Sequence, residues 1–232
     1  MNLALINFSG NVGKSTIAYH LFKMNLDESY LIGVETINDS GNFHDVKVKA
    51  KDFPSIQNEL LTNNNIILDI GSSNVEKTLE EMSKYDGSHE DIDLFIIPVP
   101  LEAKQHIDSM NTAIFLLSMG VESEKIKFVF NLIPPDTDVP LHFDLIYKFA
   151  QKSNICSDIP VIFKSEYFEH PKIKNCEISL KDLISKKSEI KASLKNAIDD
   201  NEKAEIVDLI ALSRLSVSVE KNLTNAFNSI LN

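Results

Sequence analysis

The chain has 232 residues, 43% hydrophobic and 25% charged, an ordinary globular composition large enough for one α/β domain with a small appendage. Its formal charge of −11, with Arg214 the sole arginine, argues against wrapping nucleic acid, where neutralised phosphates dominate affinity; a local basic patch stays open. No apolar run approaches the ~18 residues of a membrane span, the N-terminus lacks the basic region of a secretory signal, and Cys156 and Cys176 form no C-x-x-C pair, so a cytoplasmic location is expected.

Asn2 to Asn7 reads as a first strand and Ile17 to Met24 as a helix. Between them lies Phe8-Ser9-Gly10-Asn11-Val12-Gly13-Lys14-Ser15-Thr16. A strand, a Gly-containing loop ending in Gly-Lys-Ser and then a helix is the context of a phosphate-binding loop. Glycines let backbone N–H groups turn inward into an anion nest, and the helix N-terminus adds partial positive charge. Lys14 is placed to reach the β- and γ-phosphates, and the Ser15 hydroxyl to ligate Mg²⁺. Phe8 stands where a strict G-x-x-x-x-G-K-S pattern has its first glycine.

Tyr30 to Glu35 is a second apolar run, followed by turn residues Asn38 to Asn42. Asp45 to Ala50 alternates Val and Lys, as a short edge strand would. A helix around Ser55 to Leu61 precedes Asn65 to Asp69, an apolar strand ending in a carboxylate. Asn74 to Lys84 has helical period, Gly87 to Asp93 is an acidic loop, and Leu94 to Pro100 is a strand stopped by two prolines. A helix over Ala103 to Leu117, a strand over Ile126 to Asn131, a helix over Leu141 to Gln151 and a short strand at Pro160 to Phe163 complete the pattern. Apolar strands separated by helix-length segments indicate an α/β fold, a mostly parallel doubly wound P-loop NTPase sheet flanked by helices. After about Glu177 everything reads as a helical C-terminal tail. The expected division is a nucleotide-binding domain over residues 1–170 and a helical extension over 171–232 packed on it.

Asp69 ends its strand in Ile66-Ile67-Leu68-Asp69-Ile70-Gly71. Ligands of doubly wound folds bind beyond the carboxyl ends of the strands, where this carboxylate would hold Mg²⁺ directly or through water. The plainer alternative is an N-cap or a turn residue before Gly71. The six histidines show no paired metal-ligand spacing, and His20 reads as a surface or packing residue.

The core of the loop, S-G-N-V-G-K-S-T, resembles the deviant P-loop K-G-G-x-G-K-[ST]-T of the ParA/MinD partition and positioning ATPases. The longer opening, I-N-F-S-G-N-V-G-K-S-T, is similar to the StbB-type plasmid-stability branch. Ser9 replaces the lysine that opens the family's loop, and Asn11 its second glycine. The resemblance implies that ATP is contacted by Ser9, Gly10, Asn11, Val12, Gly13, Lys14, Ser15 and Thr16, with Ser15 and Asp69 on Mg²⁺ and Gly71 near the γ-phosphate. It implies a catalytic set of Lys14, Glu35 and Asp69, Glu35 being the one acid kept from a pair whose second position is Ile37; the alternative for Glu35 is a plain strand-end carboxylate. Asn131, at the end of Lys127 to Asn131, would read adenine; its alternative is a cap before Pro134. Pro98 and Pro100 resemble a segment flanking the nucleotide and the dimer face, though simple strand termination also accounts for them.

The same resemblance implies an ATP-dependent homodimer acting in plasmid stability, partition and conjugative transfer, its state read by a plasmid-encoded DNA-binding adaptor. Two alternatives remain, a non-hydrolysing nucleotide-binding adaptor and a P-loop small-molecule kinase or synthetase. Lys172, Lys174, Lys181, Lys186, Lys187, Lys191 and Lys195 outnumber Glu177, Asp182 and Glu189 in the tail, giving either a solvated face or a strip for DNA or an acidic partner. Leu212, Leu215, Val219, Leu223, Phe227 and Ile230 line one stripe of the last helix, for packing on the domain or on a partner.

Overall fold

The computed structural model describes residues 1–35 and 43–231. The position of the absent second acid, Ile37, and the turn residues 38–42 lie outside them. Two compact units are present: Met1–Lys164 joined by Ala226–Asn232, and Ser165–Asn225.

The first unit carries a seven-stranded sheet. In chain order it contains β1 (Leu3–Leu5), α1 (Lys14–Thr16, continuing as a π-helix over Ile17–Lys23), β2 (Tyr30–Val34), β3 (Val46–Val48), α2 (Phe53–Thr62), β4 (Ile66–Ile70), α3 (Val75–Met82), β5 (Leu94–Val99) and α4 (Ala103–Ser118). Then come β6 (Ile126–Ile133), α5 (Val139–His142), α6 (Asp144–Lys152) and β7 (Val161–Phe163). The spatial order is β3-β2-β4-β1-β5-β6-β7, and every pairing is parallel. Parallel pairing puts all carboxyl ends of the strands along one edge, where loops converge.

Both faces of the sheet are buried, which is why its strands read as unbroken apolar runs. Ala4, Ile6, Ile32, Leu68, Ile97 and Phe130 point to one side, where Ile56 of α2, Leu79 of α3, Leu116 of α4 and Ile146 of α6 cover them. Leu3, Leu5, Leu31, Ile67 and Ile96 alternate with these and are equally buried on the other side, where the helix after the loop contacts β2 and β4.

Val46–Val48 is an edge strand, as its alternation suggests. β5 covers nearly the expected run, passing through Pro98 and ending at Val99, before Pro100. Pro98 is tolerated because β1 stops pairing at Leu5, opposite Ile96. Its carbonyl instead accepts a hydrogen bond from Asn7 Nδ2 at 2.8 Å. β6 continues two residues past Asn131 through a bulge, with Leu132 at φ 61° and a register shift against β7.

The second unit holds α7 (Pro171–Lys174), α8 (Leu180–Ser185), α9 (Lys187–Ser193) and most of α10 (Asp200–Leu231). Several lysines there pair locally: Lys174 with Glu169 at 2.6 Å and Lys186 with Asp182 at 3.3 Å. Along α10 the buried positions are Ile206, Leu212, Ser213, Ser216, Val219, Leu223, Ala226 and Ile230, and from Leu212 onward Leu212, Ser216, Val219, Leu223, Ala226 and Ile230 follow a 3-4 repeat. Leu215 lies off this stripe, 36% exposed, and small Ser216 and Ala226 take places on it. No helix among the described residues is long and apolar enough to cross a membrane.

Phe130 stacks on Phe143 with centroids 3.9 Å apart, joining β6 to the α5–α6 segment. Phe130→Ala is expected to cost about 3–5 kcal/mol, read as a lowered urea midpoint with an unchanged m-value.

Candidate functional site

The loop after β1 is anchored by side-chain amides as much as by its glycines. Asn7 is fully buried and uses its whole amide. Oδ1 accepts from the Ser9 N–H at 2.8 Å, while Nδ2 donates to Pro98 O and Ser109 Oγ, both at 2.8 Å. The Phe8 N–H donates to Thr112 Oγ1 at 3.1 Å, and Gln105 Nε2 donates to Gly10 O at 3.1 Å. Phe8 itself packs edge-on to Phe115, centroids 6.2 Å apart. The usual first glycine is therefore replaced by a ring that pins the loop to α4.

At the crest, Asn11 (φ 58°) and Gly13 (φ 81°) are left-handed. That conformation turns successive N–H groups toward one concavity. Asn is the side chain that best tolerates it outside glycine, which accounts for Asn11. Gly13 has no substitute: a Cβ there would lie 2.3 Å from Asn131 Nδ2. Asn131 reaches across from β6 and donates to Val12 O at 2.8 Å, in a buried bond. Its amide thus supports the loop from behind.

The helix begins at Lys14, with the Ile17 N–H on Gly13 O at 3.0 Å. It widens over Ile17–Lys23, ending with the Met24 N–H on Tyr19 O, five residues back, at 3.1 Å. Lys14 is 7% exposed, and Nζ donates to Asn7 O at 3.3 Å and Ser9 O at 3.1 Å. Burial lowers its pKa, partly opposed by Asp69 and then Glu35. That opposition places the lysine and both carboxylates in one electrostatic neighbourhood. Ser15 and Thr16 are half-buried in the first turn.

Two adjacent rows of β2 and β4 shape the acidic side. Gly33 pairs with Asp69, and one step along Glu35 lies over Gly71, where a Cβ would meet its Oε2 at 2.7 Å. In each row one strand supplies a glycine and the other a carboxylate. The space above Gly33 is filled by the His44 imidazole, 2.8 Å from where a Cβ would be. His44 Nε2 lies 2.8 Å from Asp69 Oδ2, and both side chains are almost wholly buried. Among the described residues Asp69 Oδ1 is buried with no hydrogen-bond partner.

A hard divalent cation takes oxygen ligands, and a buried carboxylate oxygen left open at the same strand edge as the loop suits one. Among the described residues no group of three or more His, Cys, Asp and Glu could hold a metal alone. A cation here would have to share ligands with a bound phosphate or water.

Sequence reasoning missed His44, Asn7 and Gln105. Histidine spacing carries no signal for a residue that pairs across the sheet. The one hint was Gly33, a glycine inside the apolar run Tyr30 to Glu35, where a strand interior otherwise gains from a side chain.

No protein-family model and no curated protein matches the sequence. Solved structures do. An ATP complex of an McdA variant from Cyanothece superposes with a TM-score of 0.53 at 12% identity, covering 97% of this chain and 96% of that one. The cell division ATPase MinD of Pyrococcus furiosus gives 0.51 at 13%, covering 95% and 98%. Apo McdA gives 0.50 at 13%, covering 78% and 92%. The chain therefore has the fold of the MinD/ParA P-loop NTPases, a parallel sheet flanked by helices with a C-terminal helix.

Two outcomes test the loop and its helix. Asn131→Leu leaves Val12 O buried without its donor and is expected to cost about 1–3 kcal/mol, measured by thermal denaturation without ligand. His20 is 6% exposed, and burial lowers its pKa to about 4 against a usual 6.5. Its neutral form is favoured in the fold, so stability is fully present above about pH 6.5 and falls as pH drops toward 4. The loss is about 3 kcal/mol, and a His20→Phe chain should lack that part of the acid limb.

Proposed function

We propose that the chain is an Mg²⁺-dependent ATP-binding switch of the ParA/MinD type, hydrolysing slowly or only with a partner. One observation carries the reading: a left-handed, amide-braced loop ends in Lys14 and Ser15 at the strand edge that also holds Asp69 and Glu35. An inward-turned loop of N–H groups with a buried ammonium is a site for a polyanion. Phosphoryl transfer needs positioning and electrostatic stabilisation more than covalent chemistry.

In this reading Ser9 to Thr16 cradle the phosphates. Lys14 exchanges its two backbone carbonyl acceptors for phosphate oxygens, a stronger charge-assisted pairing. Ser15 and Asp69 would hold Mg²⁺, which supplies neutralisation of phosphate charge. Glu35, held over Gly71, orients the attacking water. Asn131 braces the loop through Val12, and a contact with an adenine edge would have to share the same amide.

The resemblance to StbB-type proteins extends the proposal to a nucleotide-dependent homodimer. A plasmid-encoded DNA-binding adaptor would read its state in plasmid stability and conjugative transfer. Ser9 and Ile37 favour one rival, a nucleotide-holding adaptor with no turnover, since each replaces a charged residue of the resembling family.

Lys14→Ala is expected to weaken ATP binding about tenfold or more, as loss of a charge-assisted bond predicts, by titration calorimetry. Asp69→Asn should leave metal-free nucleotide binding near normal while abolishing its strengthening by Mg²⁺. A wild-type chain that binds ATP and Mg²⁺ but releases no phosphate, with adaptor and DNA present, would establish the adaptor reading instead.

A further inference from the structure

We propose that His44 is a positioning residue for Asp69, holding one carboxylate oxygen so that the other is presented to the nucleotide-bound divalent cation. The inference rests on the reading of Asp69 as a cation ligand and adds a residue outside every motif of the loop. His44 precedes β3, far from Asp69 in sequence, yet its ring is seated on β2 above Gly33. The register sets Gly33 directly beside Asp69, and Nε2 meets Oδ2 at 2.8 Å.

An ionised carboxylate can only accept, so the shared proton is on His44 Nε2. Nδ1 of the same ring is buried with no partner among the described residues. The ring thus gives up hydration of one nitrogen, while the other is committed to Asp69. Packing alone would not require this, since an apolar ring fills the hollow above a glycine as well. Asp69 is left with its two oxygens in different states, Oδ2 bonded and Oδ1 buried and open. A carboxylate fixed in this way has a set rotamer and a single oxygen to offer. Outer partners of this kind hold ligands in place and raise metal affinity.

Three variants separate positioning from packing. His44→Phe keeps a ring over Gly33 and removes the donor; His44→Gln keeps an N–H donor; Asp69→Asn removes the ligand. Free Mn²⁺ is measured by electron paramagnetic resonance with the full chain and saturating AMPPNP. Nucleotide affinity is measured separately in EDTA. His44→Phe is expected to weaken nucleotide-dependent Mn²⁺ binding about tenfold or more and to leave EDTA-phase nucleotide affinity within about twofold. His44→Gln should restore most of the Mn²⁺ affinity. If His44→Phe does not fold, judged by thermal melting, His44→Leu takes its place.

The proposal is overturned if His44→Phe binds Mn²⁺ like wild type, if it loses metal-free nucleotide binding in equal measure, or if His44→Gln fares no better. Loss in Asp69→Asn with normal His44→Phe removes the His44 inference alone. A wild-type chain with no nucleotide-dependent Mn²⁺ uptake removes the nucleotide reading and this inference with it.

Discussion

The left-handed turn at Gly13 is the constraint on which the loop depends. A backbone at φ 81° already excludes most side chains, and the Asn131 amide 2.3 Å from a would-be Cβ excludes the rest. Because Asn131 also donates to Val12 O, the same contact that forbids a side chain fixes the loop's height above β6. On the other flank Asn7 ties the loop to β5 and α4 through Pro98 and Ser109. The concavity is therefore preorganised from both sides, which would limit the entropy lost on binding the proposed nucleotide.

Lys14 shows the electrostatic consequence. A buried ammonium needs partners, and two backbone carbonyls supply them here. Burial lowers its proton affinity, and the carboxylates of Asp69 and Glu35 partly restore it. The site thus keeps positive charge on the loop and negative charge on β2 and β4, close enough to influence each other. That division of charge is what the proposed nucleotide and its divalent cation would meet.

The glycine-and-carboxylate rows explain how a crowded parallel sheet accommodates this chemistry. Side chains from paired positions share one face, so two bulky groups in a row would compete for the same space. Gly33 beside Asp69 and Gly71 beside Glu35 resolve that competition. The vacancy over Gly33 also admits His44, which no spacing rule along the chain would associate with Asp69.

Much of the architecture was legible in the linear order of residues. Apolar runs buried on both faces mark parallel strands, and Gly-Lys-Ser-Thr after the first marks the loop, because both depend on neighbours in sequence. The Val and Lys alternation at β3 gave away an edge. The strand from Leu94 was legible too, but why Pro98 is tolerated inside it shows only in tertiary pairing, since β1 has already stopped beside it. Leu215 misled: helical spacing allows several adjacent stripes, and burial at Ser216 and Ala226 selects one. His44 on Asp69, Asn7 on Pro98 and Asn131 on Val12 join residues separated by 25, 91 and 119 positions. Local preference determined which segments were strands, helices and loop. Cross-sheet register decided which polar groups meet, because hydrogen bonds and missing side chains act between strands that are neighbours only once the sheet has formed.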